Sequence, residues 1–258
     1  MSKFFEQIVR SGTGAVLPPA EIPKFQALIE RKIVVDEKAA PPATPAKPAI
    51  DLQEPRVNGY RKIQIDEFAF LRHRFRNAES LEAAEEAYRA LRTQLLGLKS
   101  SRGLRSLQLT SATPGEGKTM TAFNLAVCCA RLQDMSILLV DADIRGKGLT
   151  RALALRPSPG FAEILSGQAE PEKAILAAGI PHLYVLPSGE SNIALAEVFA
   201  HERWQKFIGW CHEAFKLTII DSPPVLHFAD THLISASCDG VLMVVRARQA
   251  KRDRLEKS

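Results

Sequence analysis

An α/β fold with a mainly parallel sheet and helices on both faces is predicted for this 258-residue chain. Three observations predict it. Short strands that are apolar throughout alternate with helical stretches, the pattern of a sheet covered on both sides. A glycine-rich turn lies directly between the first of those strands and the helix after it. Two more such strands end in aspartate, and in an open α/β sheet ligands bind beyond the carboxyl ends of the strands.

The elements follow in chain order. Residues 1–77 are expected to be an N-terminal arm and Pro/Ala-rich linker, largely disordered, ahead of a P-loop domain over 78–258. Eight of the 16 prolines fall in the first 60 residues, clustered in KAAPPATPAKPAIDLQEP, which is too poor in apolar surface to fold. Two short apolar-periodic pieces precede that cluster, Phe4/Phe5/Ile8/Val9 and Phe25/Leu28/Ile29/Ile33. They read either as docking helices for a partner or as locally helical ends. From about residue 78, Leu81, Ala84, Tyr88, Leu91, Leu95 and Leu98 make one apolar stripe at steps of three and four, which predicts a helix. Strands are expected over 104–111, 136–141, 182–187, 217–222 and 240–245. Helices are expected over 118–132, near 160–178, over 193–215 and over 230–237.

The turn is SATPGEGKT, residues 111–119. Gly115 and Gly117 let the backbone curl so that successive N–H groups point at phosphate oxygens, and the helix that follows adds its positive end. Lys118 would reach the β- and γ-phosphates, and the Thr119 hydroxyl would ligand Mg²⁺. Pro114, Gly115, Glu116, Gly117, Lys118, Thr119 and Met120 are the candidate nucleotide-binding residues. Ala112 stands where the strict pattern has its first glycine. Asp141 and Asp143 lie just past one apolar strand, and Asp221 past another. A lone aspartate at a strand end is commonly a helix cap. Three beside a P-loop make a site for Mg²⁺ and a reacting phosphoryl group. Thr119, Asp141 and Asp221 are the candidate metal ligands.

Composition excludes several classes. The chain is 46% hydrophobic and 24% charged, which rules out collagen-like, disulfide-scaffold and fully disordered proteins. No apolar run approaches the roughly 20 residues of a membrane span, and MSKFFEQIVR is too short and polar for a secretory signal. A cytoplasmic location is expected. Of the net charge of +5, most comes from residues 246–258, with six bases and two acids. A basic tip is a weaker nucleic-acid signal than a basic stripe on a folded face, so no nucleic-acid partner is expected. The four cysteines show no metal-ligand spacing.

The P-loop, the strand ending DADIR and the strand ending IIDSPP resemble the Walker A, Walker A′ and Walker B motifs of bacterial tyrosine kinases. These are P-loop enzymes of exopolysaccharide and capsule synthesis, related to the MinD/ParA ATPases. The resemblance runs from about Glu86 to Arg248 and includes PGFAEIL, LYVLPSG and VLMVVRA. It implies transfer of the ATP γ-phosphoryl group to a tyrosine hydroxyl. Lys118, Asp141 and Asp143 are the implied catalytic residues, with Asp143 accepting or orienting the tyrosine proton. Arg145 reads equally as a phosphate contact or as a partner of a local carboxylate.

Glu86, Arg89 and Arg92 match the family's E-x2-R-x2-R motif, which implies ring-like self-association through them. Read alone, such a ladder is also just the solvated side of an amphipathic helix. The resemblance further implies a separate membrane activator or chain-length regulator, and peripheral location at the inner membrane face through it. Two departures from the family pattern are expected to matter. Tyr60, Tyr88 and Tyr184 are the only tyrosines, so the family's tyrosine-rich tail is missing. The pattern also stops one helix and one strand short, so the domain is expected to be truncated at its C-terminus. Three functions stand open from the sequence: a tyrosine autokinase, a MinD/ParA-like ATPase without kinase activity, and a nucleotide-binding scaffold.

Overall fold

The computed structural model describes residues 60–67, 70–71, 75, 77–190, 202–228 and 230–246. The two apolar pieces, the proline cluster and the basic tip beyond Arg246 lie outside the described residues.

Seven strands form one sheet: β1 (Arg61–Lys62), β2 (Ser106–Ser111), β3 (Ile137–Asp141), β4 (Leu176–Ala177), β5 (Leu183–Leu186), β6 (Leu217–Asp221) and β7 (Gly240–Val244). Their order is β1-β4-β5-β3-β6-β2-β7. From β5 to β7 every pair is parallel, whereas β4 pairs antiparallel with β5 and carries β1 parallel to itself. The described helices are α1 (Ala78–Arg102), α2 (Lys118–Ala130), α3 (Gly148–Ala152), α4 (Phe161–Ser166), α5 (Pro171–Ala174), α6 (Glu202–Ala214) and α7 (Asp230–Ser237).

Side chains of a strand alternate between faces, and each face has its own core here. Leu139 and Ile219 join the cluster built with α1 and α2, around Phe123 and Tyr88. Leu138, Val140 and Ile220 join the opposite cluster with α4 and α6, around Phe161 and Trp204. The continuous apolar runs of β3 and β6 are thus explained by burial on both sides. α1 begins where the Asn77 side chain accepts from the Ser80 N–H at 2.9 Å, and ends at Gly103, whose φ is 71°. Both are the cap chemistry that the free backbone groups of a helix end require. Its apolar stripe packs as predicted, with Ala84, Tyr88 and Leu95 buried.

The helical reading over 160–178 holds for α4 and α5 and fails at Leu176–Ala177, which form β4. Alanine-rich sequence favours helix locally, but tertiary context overrides so weak a preference. Here the turn at Gly179, with φ 75°, and His182, with φ 62°, folds this apolar segment back on β5. Residues 60–67, read from the sequence as linker, supply β1 at the sheet edge, and Leu71 is buried in the first core.

Candidate functional site

β2, β6 and β3 are adjacent, and their register places Leu109 level with Asp221 and Asp221 level with Asp141. The turn after β2 therefore opens beside the two strand ends that carry the aspartates. Gly115 and Gly117 have φ of 81° and 103°, left-handed values that side-chain-bearing residues rarely adopt. Glu116 is buried and accepts from the Thr113 N–H at 3.0 Å, which closes the loop on itself. Pro114 and Gly115 form the exposed rim, and Met120 packs against the first core below. Lys118 and Thr119 open α2.

The Lys118 ammonium is held between carboxylates, 3.2 Å from Asp143 Oδ2 and 3.6 Å from Asp221 Oδ1. Burial works against its charge, but Asp221, Asp143 and Asp141 outweigh that and hold its pKa above the usual lysine value. Asp221 is fully buried, and only the Lys118 ammonium at 3.6 Å and the Thr119 hydroxyl face its oxygens, neither in a close hydrogen bond. Burial pushes its carboxyl up to about 7, with Lys118 pulling the other way. Asp141 is used differently. Its Oδ1 accepts from the Asp143 N–H at 3.2 Å, and its Oδ2 accepts from the Thr150 N–H at 2.8 Å and hydroxyl at 2.6 Å. Burial still raises its pKa, against those bonds. Asp143 Oδ1 accepts from the Gly146 N–H at 2.8 Å.

The candidates Lys118, Asp143 and Asp221 thus meet directly, while Asp141 stands behind them and fixes the loop to α3. Thr119 lies at the same mouth, against Gly148: a Cβ there would sit 3.2 Å from its hydroxyl oxygen. Among the described residues, no group of three His, Cys, Asp or Glu side chains forms a metal cage. The site fits Mg²⁺ in another way, because that ion commonly takes one or two carboxylates plus substrate phosphates. A buried carboxylate without close hydrogen bonds is costly unless a cation or donor meets it. Asp221 beside Thr119 offers that position.

Two contributors escaped the sequence reading. Thr150 grips Asp141 and in turn accepts from the Ser188 N–H at 2.9 Å, tying the loops after β3 and β5 together. Arg246, just beyond β7, donates to the Gly115 carbonyl at 3.4 Å. Its position past the carboxyl end of an apolar strand was the available signal. Arg145 stacks its guanidinium 4.7 Å from the centre of the Phe228 ring. On α1, Arg89 pairs with Glu86 at 2.5 Å and Glu85 at 3.1 Å. Arg92 instead donates to the Cys128 carbonyl of α2 at 2.8 Å.

With this geometry in place, the comparisons with known proteins agree. A sequence profile described as "AAA domain" matches residues 107–254. The tyrosine-protein kinase YwqD of Bacillus subtilis (strain 168) is 33% identical over 174 residues, covering 67% of this chain and 73% of the relative. The tyrosine-protein kinase CpsD of Streptococcus agalactiae is 31% identical over 175 residues, covering 67% and 75%. The tyrosine-protein kinase etk of Escherichia coli (strain K12) is 30% identical over 181 residues, covering 68% of this chain and only 25% of the relative. In solved form, the kinase domain of that E. coli protein superposes with a TM-score of 0.67 at 27% identity, over 77% of this chain and 74% of the other. The profile match over more than half of the chain and these relatives at 30% identity or more place it: the chain belongs to the family of bacterial tyrosine-protein kinases with an AAA domain.

Proposed function

We propose that this chain is an ATP-dependent protein-tyrosine kinase that passes the γ-phosphoryl group to a tyrosine hydroxyl in the service of exopolysaccharide or capsule synthesis. The observation that carries the reading is Lys118 held between Asp143 and the fully buried Asp221, directly beyond a left-handed glycine loop.

The residues divide the work as follows. The N–H groups of the 114–119 loop and the amino end of α2 receive phosphate oxygens. Lys118 turns its ammonium from the carboxylates to those oxygens, which leaves Asp143 Oδ2 open. Thr119 and Asp221 would hold Mg²⁺, and the ion would supply charge neutralisation for the transferring phosphoryl group. Asp143 Oδ2 then accepts the phenolic proton as the tyrosine oxygen bonds to phosphorus. Asp141 keeps Asp143 in place through its backbone N–H, and Thr150 keeps Asp141 in place. Positioning and charge stabilisation supply most of the rate.

The chain also acts as a homo-oligomer through Glu86, Arg89 and Arg92, and works with a separate membrane activator or chain-length regulator at the inner face of the membrane. Among the described residues no helix is long and apolar enough to cross a bilayer.

Mass spectrometry after incubation with Mg-ATP, with a Glu/Tyr copolymer as external acceptor, tests the kinase reading. Phosphotyrosine is expected with wild type and reduced by about a hundredfold or more with Lys118→Met. Phosphate release without phosphotyrosine on chain or copolymer would make the protein an ATPase instead.

A further inference from the structure

The chain holds three tyrosines, and the fold treats them differently. Tyr88 is 5% exposed in the middle of α1. Tyr184 lies inside β5, between β4 and β3, with its ring 5.4 Å from that of Phe215. Tyr88 cannot be offered to a kinase without opening α1, and Tyr184, though only half-buried, has its backbone paired on both sides in the sheet. Tyr60 is half-buried, precedes β1, and meets Tyr184 edge-on at 5.7 Å.

Tyr60 packs at the rim of the second core and Ile65 on the first, but the backbone pairing of this segment is short. β1 is a two-residue pairing with β4, continued by the Ile63 N–H to the Ala177 carbonyl at 2.9 Å and the Ile65 N–H to the Ala178 carbonyl at 3.2 Å. Small edge elements of this kind open at a fraction of the free energy of the whole sheet. Behind them the chain is anchored, by Glu67 to Arg131 at 3.1 Å and by the burial of Leu71. Because β4 reverses direction, β1 runs opposite to the P-loop strand, and Tyr60 stands at the same end of the sheet as Asp141 and Asp221. Docked, it is three strand spacings from β3, about 14 Å. Released, residues 60–66 reach about 24 Å from Glu67, which sits beside Arg131 at the far end of α2; the 13-residue helix back to the P-loop is about 20 Å long.

We propose that Tyr60 is a phosphorylation site of this chain, and that a phosphate on it keeps residues 60–66 off the sheet edge. The proposal rests on the kinase reading and names one acceptor for it. In the step, the bond from γ-phosphorus to the β,γ-bridging oxygen of ATP breaks and a bond to Tyr60 Oη forms. ADP leaves, and the phenolic proton passes to a carboxylate and then to water. The docked phenol already sits in surroundings hostile to negative charge: burial and the neighbouring Glu172 carboxylate push its pKa up to about 12. A phosphate brings a charge of about −2 into that same place, against the Tyr184 ring and Glu172, so the modified residue cannot return.

The test uses the full chain with Mg-ATP and the Glu/Tyr copolymer, phosphosites mapped by mass spectrometry and amide exchange followed on the product. Phosphate on Tyr60 is expected in wild type and absent in Lys118→Met. Tyr60→Phe, which keeps the ring contact, should phosphorylate the copolymer at the wild-type rate. The Ile63 and Ile65 amides of phosphorylated chain should exchange at least about tenfold faster than in unmodified chain. A phosphorylated copolymer with Tyr60 unmodified overturns this proposal and leaves the kinase reading standing. No phosphotyrosine on either overturns both. Phosphate on Tyr60 with unchanged exchange overturns the release.

Discussion

At the residue scale, Asp221 sets the ionic state of the site. Its carboxyl has a reference pKa of 3.8 and is raised to about 7 in the fold. The folded state therefore binds more protons than the unfolded chain across that window. Stability is fully present below 3.8 and is lost as pH rises through about 7. Asp221→Asn removes this dependence. In nucleotide-free, metal-free buffer the variant should gain on wild type as pH rises from about 5 to about 8, by roughly 2–3 kcal/mol. Thermal melts across that range measure it, and a constant difference between the two proteins would sink the assignment. That Lys118, Asp143 and Asp221 come together, with Thr119 at the mouth and Asp141 behind, was legible as a position in the fold, because short motifs at strand ends set their spacing. Thr150 was not. Its bond to Asp141 depends on how α3 packs after a turn through Lys147, whose φ is 47°, and no sequence spacing encodes that.

At the scale of elements, α1 separates two uses of one charge ladder. Glu86 has a side chain 67% exposed and Arg89 one 42% exposed, and they pair with each other. Arg92 is turned inward onto the Cys128 carbonyl, near the end of α2. Glu86→Lys should therefore leave the melting temperature within about 1 °C of wild type, and lower the assembled mass in sedimentation if the ladder joins subunits. Arg92→Ala should destabilise the monomer itself by about 1–3 kcal/mol, so loss of assembly in that variant alone would say little about an interface. An unchanged mass for Glu86→Lys would count against self-association through this face. The elements carrying the core were legible because burial on both faces writes itself as unbroken apolar runs. β1 and β4 were hidden because two-residue strands have no period to detect, and each exists only through its pairing with a neighbour.

For the molecule as a whole, nucleotide and fold are linked by mass action. At a hundred times its dissociation constant, Mg-ATP should stabilise the native state by about 2.7 kcal/mol, a rise of roughly 5–10 °C in melting temperature. Lys118→Met, whose ligand-free melt shifts because it uncovers two buried carboxylates, should show no further rise with Mg-ATP, and an equal rise in both proteins would remove Lys118 from the binding site. The edge pairing of residues 60–66 has a mechanical meaning as well. A load between residues 60 and 246 passes through every ladder of the sheet, and the two-residue β1–β4 pairing is a weak member of that series, shorter than the five-residue β3–β6 ladder. Pulling between residues 60 and 246 should show an early lengthening of about 24 Å before the sheet ruptures, and a single rupture without it would mean that strap and sheet yield together. Tension on the front of the chain would then detach the sheet edge at forces that leave the P-loop in place.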